Sequence, residues 1–351
     1  MLRPTQIGVP SLVRIKPGAL RKVGAYVARM QVSHAVLLVS DGLPGPIVDT
    51  FHASLTRAEI RLSQTVALAE ASYEVATRLV PTLPTPCHAI VGLGGGRALD
   101  VAKYVAHLAK LSYLAVPTSL SNDGFASPNA SLTVDRRRRS FGCALPRGVV
   151  VDTEVCHRAP ASLWFSGIGD VAAKVTAVAD WKLAFHARGE PVDDLAALLS
   201  DATVFQLAAR PVRDLEGERL LATALLLDGV AMEMAGGSRP ASGSEHLISH
   251  ALDFISERPR LHCLQVGMAA YLVSALQHGS RTRLEQLLVH SGFFDEIRRD
   301  PFSRTEWLQA IAMAPNMKHD FHTILSERPD ALEAIENAIM SDPQLAGCFV
   351  A

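Results

Sequence analysis

Gly92-Leu93-Gly94-Gly95-Gly96-Arg97-Ala98-Leu99-Asp100-Val101-Ala102-Lys103 is the stretch on which the fold turns. It follows an apolar run, CHAIVGL over residues 87–93, and opens an amphipathic segment over about 97–108. A buried strand, a glycine turn and a helix start suit a dinucleotide. Glycines let the backbone approach a pyrophosphate, and the first turn of a helix offers unpaired N–H groups to its charge. The spacing is not GxGxxG, and tight turns also use glycine. Position after a buried strand is what favours the nucleotide reading of Gly94, Gly95 and Gly96.

Outward from this stretch the first part of the chain alternates. Residues 11–15, 34–40, 60–67 and 113–116 read as strands, and 18–30, 46–57 and 69–80 as helices. Strands separated by helices imply a parallel sheet with crossover helices. Residues 1–160 are therefore expected to form an α/β, Rossmann-like dinucleotide-binding domain. Asp41 closes the strand HAVLLVS, where a carboxylate can accept hydrogen bonds from a ribose diol and would repel a 2′-phosphate. An ordinary Asp-Gly turn explains it equally well. Residues 116–124, VPTSLSNDG, end another strand with hydroxyls and a carboxylate, at the sheet edge where ligands of open α/β folds bind.

Beyond residue 160 the texture changes. Helical spacing is predicted over 169–187, 191–209, 214–234, 243–255, 262–278, 281–291 and 329–340, so 161–351 is expected to be an all-α second domain. The basic run Arg136 to Arg139 reads as a solvated hairpin tip, with phosphate binding as the alternative. A length of 351 residues suits two domains. The formal net charge of -1 leaves no electrostatic footprint for nucleic acid or an anionic membrane, while a locally basic pocket for a small anion stays open. Five scattered cysteines with no CxxC argue for a reducing, cytoplasmic setting. There is neither a signal-peptide core nor an apolar run of membrane-spanning length.

Three polar positions stand out in the helical half. Asp170 lies in SGIGD, read as a helix start; His246 lies in SGSEH; His262 follows Pro259-Arg260-Leu261, where a new helix begins. One carboxylate and two imidazoles suit zinc, iron or nickel, with coordination positions left for substrate. Spacing alone does not decide this, because some of the 13 histidines must be bland. His246 and His250 are four apart and share a helix face. Leu247 breaks the HExxH pattern, which argues against a metalloprotease.

Taken in order, GLGGGRALDVAK (92–103), VPTSLSNDGFASP (116–128), SGIGDVAAKVTAVADWKLA (166–184), SRPASGSEHLISHALD (238–253), LHCLQVG (261–267) and HDFHTIL (319–325) resemble one superfamily. It is that of iron-containing alcohol dehydrogenases, glycerol dehydrogenases and dehydroquinate synthases. Within it the chain is most similar to the sn-glycerol-1-phosphate dehydrogenase family. The resemblance implies a dehydroquinate synthase-like fold and a homo-oligomer. It implies NAD(H) or NADP(H) as cofactor, with one divalent metal, zinc before nickel or iron. Gly96, Arg97, Ala98, Leu99, Asp100, Thr118, Ser119, Leu120, Ser121 and Ser127 are then dinucleotide contacts. Asp123, Asp170 and His250 are catalytic or substrate contacts, and Asp170, His246 and His262 are metal ligands. The implied reaction is reduction of dihydroxyacetone phosphate, a small phosphorylated ketone, to sn-glycerol 1-phosphate. The family usually has glycine where this chain has Cys263, which raises the alternative of a different hydroxyketone or polyol. A dehydroquinate-synthase-like lyase and a non-catalytic regulator are further alternatives.

Overall fold

The computed structural model describes residues 7–135 and 137–351. Its main sheet has six parallel strands: β1 (Leu12–Lys16), β2 (His34–Ser40), β3 (Arg61–Leu68), β4 (Ala89–Gly94), β5 (Ser112–Pro117) and, after the hairpin β6 (Asn129–Val134) and β7 (Arg137–Gly142), β8 (Gly148–Asp152). Their spatial order is β1-β8-β5-β4-β2-β3. The chain steps from β2 outward to β3 and returns on the other side of β2 as β4. That reversal opens a crevice at the carboxyl ends of β2 and β4, where ligands of such sheets lie.

Helices α1 (Val23–Arg29) and α2 (Gly45–Arg57) cover one face, with Tyr26, Val27, Phe51 and Leu55 packed among Leu37, Val91, Leu93, Leu114 and Val150. The connection from β3 to β4 carries α3 (Tyr73–Leu79), and α4 (Gly96–Ala109) packs on β4 and β5. Because β2, β4 and β5 are covered on both faces, they read as continuous apolar runs. The five-residue β8 pairs with β1 and β5 and was not anticipated from the sequence, although its three consecutive valines carry a strand signal. The basic run is also corrected. Arg137, Arg138 and Arg139 lie exposed within strand β7 instead of at a tip, and Arg136 lies outside the described residues.

After the short α5 (Thr153–His157) the remainder is mainly helical, with α6 (Ala161–Arg188), α7 (Asp194–Ala208), α8 (Leu215–Ala235), α9 (Ser244–Ile255) and α10 (His262–Val273). Further helices span Arg281–His290, Phe293–Arg299, Arg304–Met313, Ile324–Glu327 and Ala331–Ser341. By compactness the chain forms two units. One runs through Ala159 and takes in Asp214–Glu233; the other comprises Pro160–Arg213 and Met234–Ala351. Among the described residues no helix is long and apolar enough to cross a membrane.

Helix α6 starts after Pro160 and ends at Gly189, whose φ of 69° suits a left-handed cap. Asp170 therefore sits inside the helix, not at its start as expected. Gly167 and Gly169, which suggested a start signal, are interior residues. Glycine inside a helix costs roughly 1 kcal/mol relative to alanine. At Gly169 the close approach of α10 requires it: a Cβ there would come 2.1 Å from the carbonyl oxygen of Cys263 and 3.2 Å from the Cα of Gly267.

Candidate active site

The sheet-containing unit carries a backbone cradle of its own. Gly94 ends β4 with φ of 138°, and a Cβ there would collide with Ser40 Oγ at 2.2 Å. Ser40 Oγ accepts the N–H of Gly95 at 3.1 Å, tying β2 to the turn. Gly95 caps α4 without any side-chain hydrogen bond, and a Cβ on Gly95 or Gly96 would meet open space. A bare helix N-terminus beside open glycines is a fit for a pyrophosphate. Thr118 N–H donates to the Gly94 carbonyl at 3.0 Å, which joins the loop after β5 to the same edge.

The remaining nucleotide candidates divide by what their side chains do. Ala98, Leu99 and Leu120 are core residues, so only their backbone can face a ligand. Arg97 turns its guanidinium to the carbonyl of Ala69 at 2.8 Å. Asp41 is exposed, and its Oδ1 accepts the N–H of Gly42 at 3.0 Å. Ser119, Ser121 and Asp123 are half-buried on the loop after β5, where Asn122 accepts the N–H of Gly124. Ser127 is buried, and its hydroxyl donates to the Asn129 carbonyl at 3.1 Å.

Beneath that loop lies an ion pair absent from the sequence-based assignments. Lys103 is 1% exposed, and its ammonium donates to the carbonyls of Gly124 and Asn129, 3.8 Å from Asp100. Burial pushes Asp100 up to about 6 against the opposing pull of Lys103, and burial likewise lowers Lys103. Both shifts report that lost hydration outweighs the pair's attraction.

A second constellation of candidate residues belongs to the helical unit. His246 and His250 project from α9 and His262 from the start of α10. The His246 and His262 ring centroids are 5.5 Å apart, and those of His250 and His262 are 5.3 Å apart. His246 Nδ1 lies 2.9 Å from Glu245 Oε1; His262 Nδ1 lies 2.8 Å from Ser249 Oγ and 3.4 Å from Asp253 Oδ2. Partners on Nδ1 orient each ring and leave Nε2 for a metal, the usual outer shell of a histidine-ligated centre. Asp170 is buried on α6 with Lys174, itself fully buried, 3.0 Å from its Oδ1.

Among the described residues, the three side chains whose donor atoms lie within 4.8 Å of one another are His250, Asp253 and His262. Asp253 was missed in the sequence. Its signal was the spacing of three and seven residues after His250 and His246, which places it on the same helix face. His250 is exposed by area, yet its ring is crowded. Lost hydration first, then His262 and His246, push it down to about 3 despite the opposing Asp253.

A buried network holds these side chains. Glu245 accepts from Thr176 at 2.7 Å and from the N–H of Gly243, and burial pushes it up to about 6. Asp180 accepts from the N–H and hydroxyl of Ser244 at the start of α9, from Gln277, and from the N–H of Ile324. Two imidazoles anchored through Nδ1, with nearby carboxylates, fit a divalent metal of zinc, nickel or iron type.

Comparison with known proteins bears on this geometry. The iron-containing alcohol dehydrogenase family matches residues 14–160. Glycerol-1-phosphate dehydrogenase [NAD(P)+] of Aeropyrum pernix is 33% identical over 94% of this chain and 96% of its own length. The enzyme of the same name from Methanothermobacter thermautotrophicus is 37% identical over 70% of this chain and 72% of its own. The chain belongs to the glycerol-1-phosphate dehydrogenase family. That family falls within the iron-containing alcohol dehydrogenases, and the fold agrees. Glycerol dehydrogenase of Schizosaccharomyces pombe superposes with a TM-score of 0.79 at 17% identity, covering 99% of this chain and 94% of that one. A probable glycerol dehydrogenase of Sinorhizobium meliloti gives 0.74 at 18% identity, covering 97% and 98%. The expected architecture, a Rossmann-like α/β part followed by a helical part of dehydroquinate synthase type, is the one found.

Cys263, where the resemblance implies glycine, lies on α10. The side chain is 2% exposed and packs with Ala173 and Val266 in an apolar cluster between α6 and α10.

Proposed function

We propose that this chain is an NAD(P)- and metal-dependent oxidoreductase that reduces dihydroxyacetone phosphate to sn-glycerol 1-phosphate, and runs the reverse reaction. The observation that carries this is the anchored pair His246 and His262, in a chain of the glycerol-1-phosphate dehydrogenase family. We assign the dinucleotide to the parallel-sheet unit and the metal to the helical unit, with residues 1–160 and 161–351 as their main extents. Asp170, His246 and His262 are assigned as metal ligands, zinc first. The proximity of Asp253 to His250 and His262 makes it a further candidate. The exposed Asp41 favours NAD over NADP by repelling a 2′-phosphate. A cytoplasmic homo-oligomer is the accompanying expectation.

When bound, the nicotinamide supplies hydride and the metal supplies Lewis acidity at the carbonyl oxygen. The chain's own residues hold and orient. The glycine cradle with Thr118 to Ser121 fixes the dinucleotide, and Asp123 contacts the substrate beside it. Lys174 donates to Asp170 Oδ1 and so orients its carboxylate. His250, held neutral, can donate a ring N–H to the substrate oxygen as negative charge develops and accept a proton from water on its other nitrogen.

Replacing His262 by alanine tests the assignment. Bound metal, measured by elemental analysis, and NADH oxidation are expected to disappear together; turnover by metal-free protein contradicts it. The alternative of another hydroxyketone drew its support from Cys263. With that side chain buried between α6 and α10, the support lapses.

A further inference from the structure

Two motifs, SRPASG and HDFHTIL, are not accounted for by the dinucleotide or the metal ligands. They meet in the helical unit. Arg239 is 7% exposed, donates to the carbonyl of His322 at 2.8 Å, and lies over the Phe321 ring at 3.7 Å from its centroid. Glu190 takes the other side of its guanidinium, with Nε to Oε1 at 2.7 Å. The Arg239 charge is therefore balanced, and its work is to clamp the segment 318–322.

The same ring carries a second cation. Lys318 places its ammonium 3.9 Å from the Phe321 centroid. Lys318 is exposed and has no ion pair among the described residues. It follows the short 3-10 turn Ala314–Asn316, which packs against α9, the helix of His246 and His250. Burial first, and then the neighbouring Arg239, disfavour the Lys318 ammonium against the opposing Glu190, so an incoming anion gains a partner at Lys318 itself.

Resting on the reading above, we propose that Lys318, held over Phe321 by the Arg239 clamp, recognises the phosphate of the substrate and sets the preference for phosphorylated over free ketone. A flexible lysine beside a buried, neutralised arginine suits this, because its charge is uncommitted until the dianion arrives.

The test uses metal-loaded enzyme with saturating NAD+. Calorimetric titration with inorganic phosphate is expected to show about tenfold or greater weakening in Lys318→Ala, the loss typical of one charge-assisted hydrogen bond. Lys318→Arg is expected to stay within about threefold of the parent, since the charge is retained. In NADH oxidation, Lys318→Ala loses kcat/KM for dihydroxyacetone phosphate but not for unphosphorylated dihydroxyacetone. Phosphate affinity unchanged in Lys318→Ala, no phosphate binding by the parent, or equal kinetic loss on both ketones overturns the proposal. Lys318-dependent phosphate binding without turnover of dihydroxyacetone phosphate upholds the anion site and overturns the substrate reading instead.

Discussion

Gly169 on α6 faces the carbonyl oxygen of Cys263 on α10 so closely that a single added carbon would stand 2.1 Å from it. This contact lies one residue before Asp170 and one residue after His262. The crossing that demands glycine is thus the one that brings two metal-ligand candidates onto neighbouring turns. Gly169→Ala is expected to cost more than about 2 kcal/mol, because backbone sets the clash and cannot rotate away. Metal retention should fall with it. Denaturant unfolding and metal analysis check this, and an alanine variant as stable as the parent contradicts the packing argument.

Cys263 can be tested in the opposite sense. Its side chain fills space against Ala173 and Val266. Cys263→Gly should lose about 1–2 kcal/mol through the cavity and the helix propensity of glycine. KM for dihydroxyacetone phosphate should not move. A changed KM would show that Cys263 shapes the substrate pocket after all.

Glu245 is fully buried beside His246 and is steadied by Thr176. Glu245→Gln keeps the shape but removes the charge that orients the imidazole. Metal affinity should drop about 10- to 100-fold, the usual cost of an outer-shell change. Competition with a metallochromic chelator reads this directly, and an unchanged affinity argues against His246 as a ligand.

Asp100 supplies a pH signature. Burial, only partly offset by Lys103, raises it to about 6 from an ordinary 3.8. A carboxyl raised on folding holds its proton better in the native state. Its contribution is complete below the unfolded value and is lost as pH rises through about 6. Asp100→Asn should therefore gain stability relative to the parent between pH 4 and pH 8, by on the order of 2 kcal/mol. Thermal unfolding across that range measures the difference, and parallel curves contradict it.

Much of the sheet was legible because strands buried on both faces need no alternation and announce themselves as apolar runs. HAVLLVS over β2 is the clearest case. Strand β8 was harder, since five residues give little pattern and its place between β1 and β5 depends on partners far away in sequence. Helix α6 was seen, but its start was misplaced. Gly167 and Gly169 look like punctuation until the approach of α10 explains the second of them. The glycine cradle was readable from its position after a strand. Ser40, which locks that cradle, and Lys103, which holds the loop of Asp123, were not readable. Their roles exist only through tertiary hydrogen bonds. Spacing alone could not join the candidate metal ligands, because they sit on three separate helices, whereas Asp253 and Lys174 lie one turn from His250 and Asp170 on the same helices and could have been read from spacing.

The most direct test follows NADH oxidation by metal-reconstituted enzyme, offered dihydroxyacetone phosphate, unphosphorylated dihydroxyacetone or glyceraldehyde 3-phosphate. The account predicts chelator-sensitive oxidation with dihydroxyacetone phosphate alone, forming sn-glycerol 1-phosphate of a single hand. Absence of oxidation with zinc, nickel or iron, or equal rates with the unphosphorylated ketone, would contradict it.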